Sequence, residues 1–408
     1  GPLHIPKLPG IAGIESFKGH SFHTSRWDYD YTGGDPKCAK MEGLANKRVG
    51  IIGTGATSVQ CVPHLAKACK ALFVFQRTPS SIDIRNNAPT DPEWFNEIAT
   101  EGWQQRWLEN FTANQTGDNT VEDLVMDGWT DLSRRVRSKM MSLPPEKMTP
   151  ENMMAAYEDS DFEKMEQIRA RVNTIVEDDV TAEKLKAWYR QLCKRPCFHD
   201  QYLQAYNEPG TYLIDTDGQG VEKITEKGIV VAGKEYELDC IIYASGFEVG
   251  TEYERRAGYD MVGRDGQKLS DYWADGMRTK HGVHVHGFPN AFIVQPTQGA
   301  NLISNVPHNL TEAGRTIAMI IKHATDTGKQ QVEVTKAAED SWLELLQSGT
   351  GSGIIGSPDC TPGYYNNEGK TPRPGSKLAV GYPAGAMAYF KYLDEWRNSG
   401  EFDGLEFS

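Results

Sequence analysis

Apolar runs of strand length alternate with helix-spaced segments from about residue 47 onward. Arg48-Val-Gly-Ile-Ile-Gly53 is a short apolar run that ends in glycine, and Thr57 through Cys69 carries helical spacing. Ala71-Leu-Phe-Val-Phe75 is a second apolar run, rich in aromatics. A strand, a glycine turn, a helix and a strand, all within about 30 residues, make a βαβ unit and predict a parallel sheet. Residues 1–45, rich in Pro, Gly and aromatics, read as an extended linker. Residues 91–192 read as a helical insertion. It opens on Asp91-Pro92, an N-cap side chain followed by proline at the first helical position. Trp94, Phe95, Ile98, Trp103, Trp107 and Phe111 then recur at roughly helical spacing. Strand patterns resume at Thr211–Ile214, Ile229–Val231, Asp239–Gly246 and Ala291–Val294, and helices are expected over Thr311–Ala324 and Ala386–Asn398. One parallel-sheet domain is therefore expected from residues 46–90 and 193–248, interrupted by the insertion.

Composition narrows the classes of function. With 43 Lys+Arg against 56 Asp+Glu, the 408-residue chain carries a formal charge of −13. That balance repels phosphate backbones and anionic lipid, so neither nucleic acid nor a membrane is an expected partner. No apolar run reaches the roughly 20 residues of a membrane-spanning helix. The first residues lack the basic and apolar regions of a secretion signal. Seven cysteines without CxxC spacing suit a reducing compartment better than a disulfide framework, and a cytoplasmic location is expected.

The candidate chemistry begins at Gly53-Thr-Gly55-Ala-Thr-Ser58, between the first strand and its helix. The first glycine permits a tight turn, the second lets a pyrophosphate approach the backbone, and Ser58 is small enough for close helix–strand packing. The bland alternative is a structural glycine turn. A NAD site would place an acid at the end of the second strand to hold the ribose hydroxyls. Phe75-Gln-Arg77-Thr78 offers an arginine there instead, whose guanidinium matches a 2′-phosphate and points to NADP(H). Lys194-Arg195 places two adjacent cations before Pro196, which on their own read as a solvated pair. His281, His284 and His286 form no HExxH motif, so no metal site is expected, and no nucleophile elbow supports a hydrolase.

Phe17-Lys-Gly19-His-Ser-Phe-His23-Thr-Ser-Arg-Trp27-Asp28 reads from physics alone as a packed connection. It matches F-x-G-x-x-x-H-x-x-x-W-[PD] at every position and resembles the fingerprint of type I Baeyer–Villiger monooxygenases, within the flavin-containing monooxygenase superfamily. Gly53–Ser58, Phe75–Pro79 and Tyr243-Ala-Ser-Gly-Phe247 are similar to further elements of that family. The fold this resemblance implies is α/β: a doubly wound, Rossmann-like NADP domain with a helical insertion, followed over 249–408 by the C-terminal part of the FAD domain of a two-dinucleotide-domain flavoprotein. It implies FAD and NADP(H) as cofactors, dioxygen and a small-molecule ketone as substrates, and an ester or lactone as product. Carried over residue by residue, Gly53, Gly55, Ser58, Arg77, Thr78 and Lys194 bind NADP(H), Arg195 is catalytic, and Tyr364 falls near a loop residue that contacts NADP. Phe17, Gly19, His23, Trp27 and Asp28 belong to the fingerprint, with His23 coupling cofactor movement to the reaction.

The family pattern also places an N-terminal flavin-binding unit ahead of the fingerprint, and the chain begins where that unit ends. The expectation is that these residues lack the main FAD diphosphate site, which a missing N-terminal segment or a second chain would supply. Two other activities compete with the ketone oxidation. One is an N- or S-oxygenating flavin monooxygenase, disfavoured by Trp27-Asp28; the other is a flavin-free relative acting as a cyclase, isomerase or binding module.

Overall fold

A computed structural model describes residues 3–37, 40–116, 121–248, 251–295, 297–300, 305–349, 359–370 and 378–408, without the side chains of Tyr364 and Asn367. The chain divides into two units, one of residues 1–88 and 158–251, the other of residues 89–157 and 252–408. This division differs from the segments drawn on the sequence. Residues 1–45 belong with the nucleotide-binding sheet, and the helical stretch 91–192 is shared between the units.

The first unit is built on five parallel strands in the order His20–His23, Cys240–Tyr243, Arg48–Ile52, Ala71–Gln76, Thr211–Asp215. The apolar runs are nearly continuous because both faces are covered, as parallel sheets require. Val49, Ile51, Leu72, Val74, Cys240 and Ile242 point to one side, where Val59, Val62 and Leu65 of the helix Ala56–Ala68 meet them. Phe75, Ile241 and Tyr243 point to the other, against Ile224, Ile229 and Val231. That second layer is a three-stranded antiparallel meander (Lys223–Ile224, Gly228–Val231, Lys234–Glu237) where a doubly wound fold would place helices. The sheet is thus Rossmann-like as expected, with a different cover on one face. The helix Pro150–Ile175 contributes Val172 to the first core. Asp161 and Arg169 on it anchor the chain before Lys194, accepting from Gln191 N at 2.9 Å and donating to Ala187 O at 2.8 Å.

In the second unit Pro92–Ile98 starts as expected, with Asp91 Oδ1 accepting from Glu93 N. The helices Val306–Asp326 and Ala386–Ser399 form, held together by a buried ion pair between Arg397 and Glu312 at 2.6 Å. Thr112 on Trp103–Gln115 bonds His308 of Val306–Asp326 at 2.8 Å. The strand expected at Ala291–Val294 does not form; Phe292 makes only an isolated bridge to His284. His281, His284 and His286 do not converge. His281 is enclosed by Trp342, Tyr392 and Trp396, His284 packs edge-on against Phe292, and His286 bonds the Val334 carbonyl. Burial holds His281 far below the ordinary imidazole range and His284 down to about 3, so both are neutral core groups. Cys61, Cys69, Cys197 and Cys240 are free, and Cys193 and Cys360 are disulfide-bonded, which does not amount to a disulfide framework. Among the described residues no helix is long and apolar enough to cross a membrane.

Candidate functional site

The C-terminal ends of the parallel strands lead into the Gly53–Ser58 turn, Arg77-Thr78 and His23, where the crevice rule for open α/β sheets places a ligand, whereas Phe17, Gly19 and Asp28 lie by the start of the edge strand. Ile52 leads into Gly53, which adopts φ +107°, and a Cβ there would sit 2.7 Å from the Ala244 carbonyl oxygen. Only glycine fits both the dihedral and the approach of the neighbouring strand. Gly55 is different. Its backbone is extended (φ −75°, ψ −174°), it caps the helix Ala56–Ala68 without any side-chain bond, and a Cβ on it would meet nothing within 4 Å. The space beside Gly55 at the start of the helix is therefore open and the helix end uncapped, the arrangement that receives a diphosphate. Ser58 is fully buried, as a small residue between helix and sheet should be.

The 2′-phosphate grip expected at Arg77 and Thr78 is tied directly to this turn. Gly53 N donates to Phe75 O at 3.0 Å, Thr54 Oγ1 donates to Thr78 O at 2.8 Å, and Ser80 Oγ donates to Thr54 O at 2.6 Å. Arg77 is exposed beyond the strand end. A second tie brings in the segment of Lys194 and Arg195, more than a hundred residues away in sequence. Ile82–Asp83 pairs in parallel with Cys197–Phe198, and Cys197 N donates to Ser81 O at 3.2 Å. Tyr189 Oη donates to Pro79 O at 2.7 Å and accepts from Ser81 N at 3.2 Å, while the Lys194 ammonium lies 5.7 Å from the Tyr189 ring centre. Beneath them Lys164 and Asp83 form a buried ion pair at 2.5 Å, and Arg171 donates to both Ile82 O and His199 O at 3.0 Å. Lys194 is half-buried and Arg195 is exposed.

The fingerprint is not a linker. His20–His23 is the edge strand of the sheet, paired with Cys240–Tyr243. Gly19 has no room for a Cβ, which would lie 2.4 Å from the Phe17 ring and 2.8 Å from Asp239 O. Asp28 Oδ1 caps the following helical turn by accepting from Tyr31 N at 3.0 Å, and that bond is the main reason its pKa lies low. Its Oδ2 is 2.9 Å from His20 Nε2, and His20 stacks on Tyr31 at 4.0 Å. Trp27 packs edge-on against Phe22 and donates its indole N–H to Thr32 Oγ1 at 3.0 Å. Phe17, Gly19, Trp27 and Asp28 are thus the scaffold of one edge strand. His23, the last residue of that strand, is buried against Phe247. Its Nδ1 accepts from Ser25 N at 3.2 Å, which leaves the proton of the neutral ring on Nε2. Burial lowers its pKa; the Gly246 backbone beside it opposes that shift without forming a hydrogen bond of normal geometry, so Nε2 is unpartnered.

Sequence reasoning missed Thr54, Ser80 and Tyr189, which join the pieces of the site through side-chain hydroxyls. Tyr364 lies in the short helical turn Tyr364–Gly369 of the second unit, and its side chain is outside the described residues.

Parallel strand order, glycine turn and an arginine at the adjacent strand end define a dinucleotide-binding unit. No protein-family model matches the chain. It is 47% identical over 405 residues to Baeyer-Villiger monooxygenase ATR8 of Stachybotrys chlorohalonatus, covering 99% of this chain and 64% of that protein. The solved structure of the polycyclic ketone monooxygenase from Thermothelomyces thermophila superposes with a TM-score of 0.89 at 40% identity, over 100% of this chain and 66% of that one. The structure of OTEMO in complex with FAD and NADP superposes with a TM-score of 0.72 at 27% identity, over 100% of this chain and 74% of that one. The chain spans about two thirds of the length of the curated relatives it matches. It belongs to the Baeyer–Villiger monooxygenase family of flavin-dependent monooxygenases.

Proposed function

We propose that the protein is an NADPH- and FAD-dependent Baeyer–Villiger monooxygenase that converts a ketone into an ester or lactone. The observation that carries the reading is the convergence of the Gly53–Gly55 turn, the Arg77-Thr78 strand end and the Lys194-Arg195 segment at one end of one sheet. The open space beyond Gly55 and the uncapped helix behind it fit the pyrophosphate of NADP(H). Arg77, Thr78 and Lys194 would hold the 2′-phosphate. The OTEMO complex with FAD and NADP supports the same pair of cofactors.

Arg195 is assigned the catalytic cation. Its exposed guanidinium is a planar, delocalised cation with several N–H donors, suited to holding negative charge that develops on oxygen. His23, neutral and with Nε2–H unpartnered, is assigned a coupling role at the strand ends. The flavin supplies the oxygen chemistry when bound. Among the described residues, however, no second strand runs through a glycine turn directly into an α-helix. The reading therefore places the cradle for the FAD diphosphate in the third of a relative's length that this chain does not span. The ketone is the expected substrate, and the polycyclic ketone monooxygenase relative makes polycyclic ketones the first to test.

Calorimetric titration with NADPH and NADH tests the cofactor assignment. Losing one charge-assisted phosphate contact costs about 1.5–3 kcal/mol, or roughly ten- to a hundredfold in affinity. Arg77→Ala is expected to weaken NADPH by that factor and to leave NADH nearly unchanged. Equal losses for both nucleotides would remove Arg77 from the 2′-phosphate site.

A further inference from the structure

The sheet pairing of Arg48–Ile52 with Ala71–Gln76 ends at Ile52 and Phe75. Beyond that point the two strands lead into different halves of the proposed nucleotide site, the diphosphate turn at 53–55 and the 2′-phosphate grip at Arg77 and Thr78. Backbone pairing no longer fixes their spacing after the Gly53 N to Phe75 O bond. Two hydroxyls take over. Thr54 Oγ1 donates across to Thr78 O at 2.8 Å, and Ser80 Oγ donates back to Thr54 O at 2.6 Å. Thr54 is buried, and its hydroxyl is spent on the neighbouring loop.

We propose that this reciprocal Thr54–Ser80 clasp is a positioning device that sets the preference for NADP(H) over NAD(H). The inference rests on the cofactor reading above. A ligand that spans both halves feels their separation, whereas NADH, which lacks the 2′-phosphate, is held by the glycine turn alone. Geometric slack between the halves therefore weakens NADPH and spares NADH. Charge-assisted phosphate contacts depend on short, aligned geometry, so small displacements of the Arg77-Thr78 backbone are costly. Neither hydroxyl needs to touch the nucleotide.

The test is calorimetric titration of the full-length protein with NADPH and with NADH, for wild type, Thr54→Val, Thr54→Ser and Ser80→Ala. Thr54→Val keeps the side-chain shape and removes the donor; it is expected to weaken NADPH about tenfold and NADH less than about twofold, since about 1.4 kcal/mol corresponds to a factor of ten. Thr54→Ser is expected to restore the wild-type ratio. Ser80→Ala is expected to act in the same direction, and it carries the test should Thr54→Val fail to fold. In an Arg77→Ala background the effect of Thr54→Val on NADPH should vanish, because the clasp acts through that grip. Parallel losses for both nucleotides, or an undiminished effect without Arg77, would reduce the clasp to a stability element and overturn the proposal. Wild type that binds both nucleotides equally would instead overturn the NADP(H) reading itself.

Discussion

Arg195→Ala is expected to lower ester or lactone formation by about two to three orders of magnitude in the full-length, FAD-loaded protein, while NADPH consumption remains measurable. The size follows from the loss of one preorganised charge partner at an oxyanion, typically about 2.7–4 kcal/mol. The two readouts separate because consuming NADPH does not require a cation beside the substrate oxygen, whereas inserting oxygen into the ketone does. Arg195→Lys should not rescue product formation. An ammonium is a compact point charge without the planar fork of donors, and it can release a proton where a guanidinium cannot. Binding of NADPH should survive both substitutions, since Lys194 and Arg77 are left in place. Product quantification by mass spectrometry beside NADPH absorbance measures both quantities in one sample. A variant that still forms product at a near-normal rate would assign the role to another residue.

Gly55→Asp is expected to raise or preserve thermal stability and to abolish NADPH binding. The position is the N-cap of Ala56–Ala68, with extended dihedrals, no side-chain cap and nothing within 4 Å of an added Cβ. An aspartate there can accept from the first helical N–H groups and meets the positive end of the helix dipole, a gain of up to about 1 kcal/mol. The same carboxylate occupies the space where the diphosphate must approach and repels it. A loss of at least about a hundredfold in affinity, roughly 2.7 kcal/mol, is expected. Stability and binding thus move in opposite directions, which a misfolded variant cannot imitate. Differential scanning calorimetry and nucleotide titration together check it; unaltered binding would show that the turn is only structural.

The βαβ unit was legible because its signals are local: an apolar run, two glycines and a helix-spaced stretch lie within Arg48–Phe75. The fingerprint was legible as a resemblance but not as a structure. Its edge strand is four residues long, and its partner Cys240–Tyr243 lies more than two hundred residues on, so no local pattern distinguishes it from a loop. Of the meander on the sheet's second face only the central strand, at Ile229–Val231, was legible; its neighbours Lys223–Ile224 and Lys234–Glu237 are too short and too polar to stand out. The spurious strand at Ala291–Val294 was an apolar run that found only one bridge partner. The place of Arg77 just after a strand was legible. The approach of the Lys194-Arg195 segment to residues 79–83 was not, because it depends on a two-residue parallel pairing and on the Tyr189 hydroxyl. Thr54 and Ser80 carry no sequence signal beyond being small and polar; their bonds are visible only once the two strand ends lie side by side.

The measurement that bears most directly on the proposed activity is turnover of polycyclic and monocyclic ketones by the full-length, FAD-loaded protein under isotopically heavy dioxygen with NADPH. The account predicts an ester or lactone carrying a single heavy oxygen atom, formed with NADPH and far more slowly with NADH. Heavy oxygen appearing only on an added amine or sulfide, or a ketone converted without dioxygen, would contradict it.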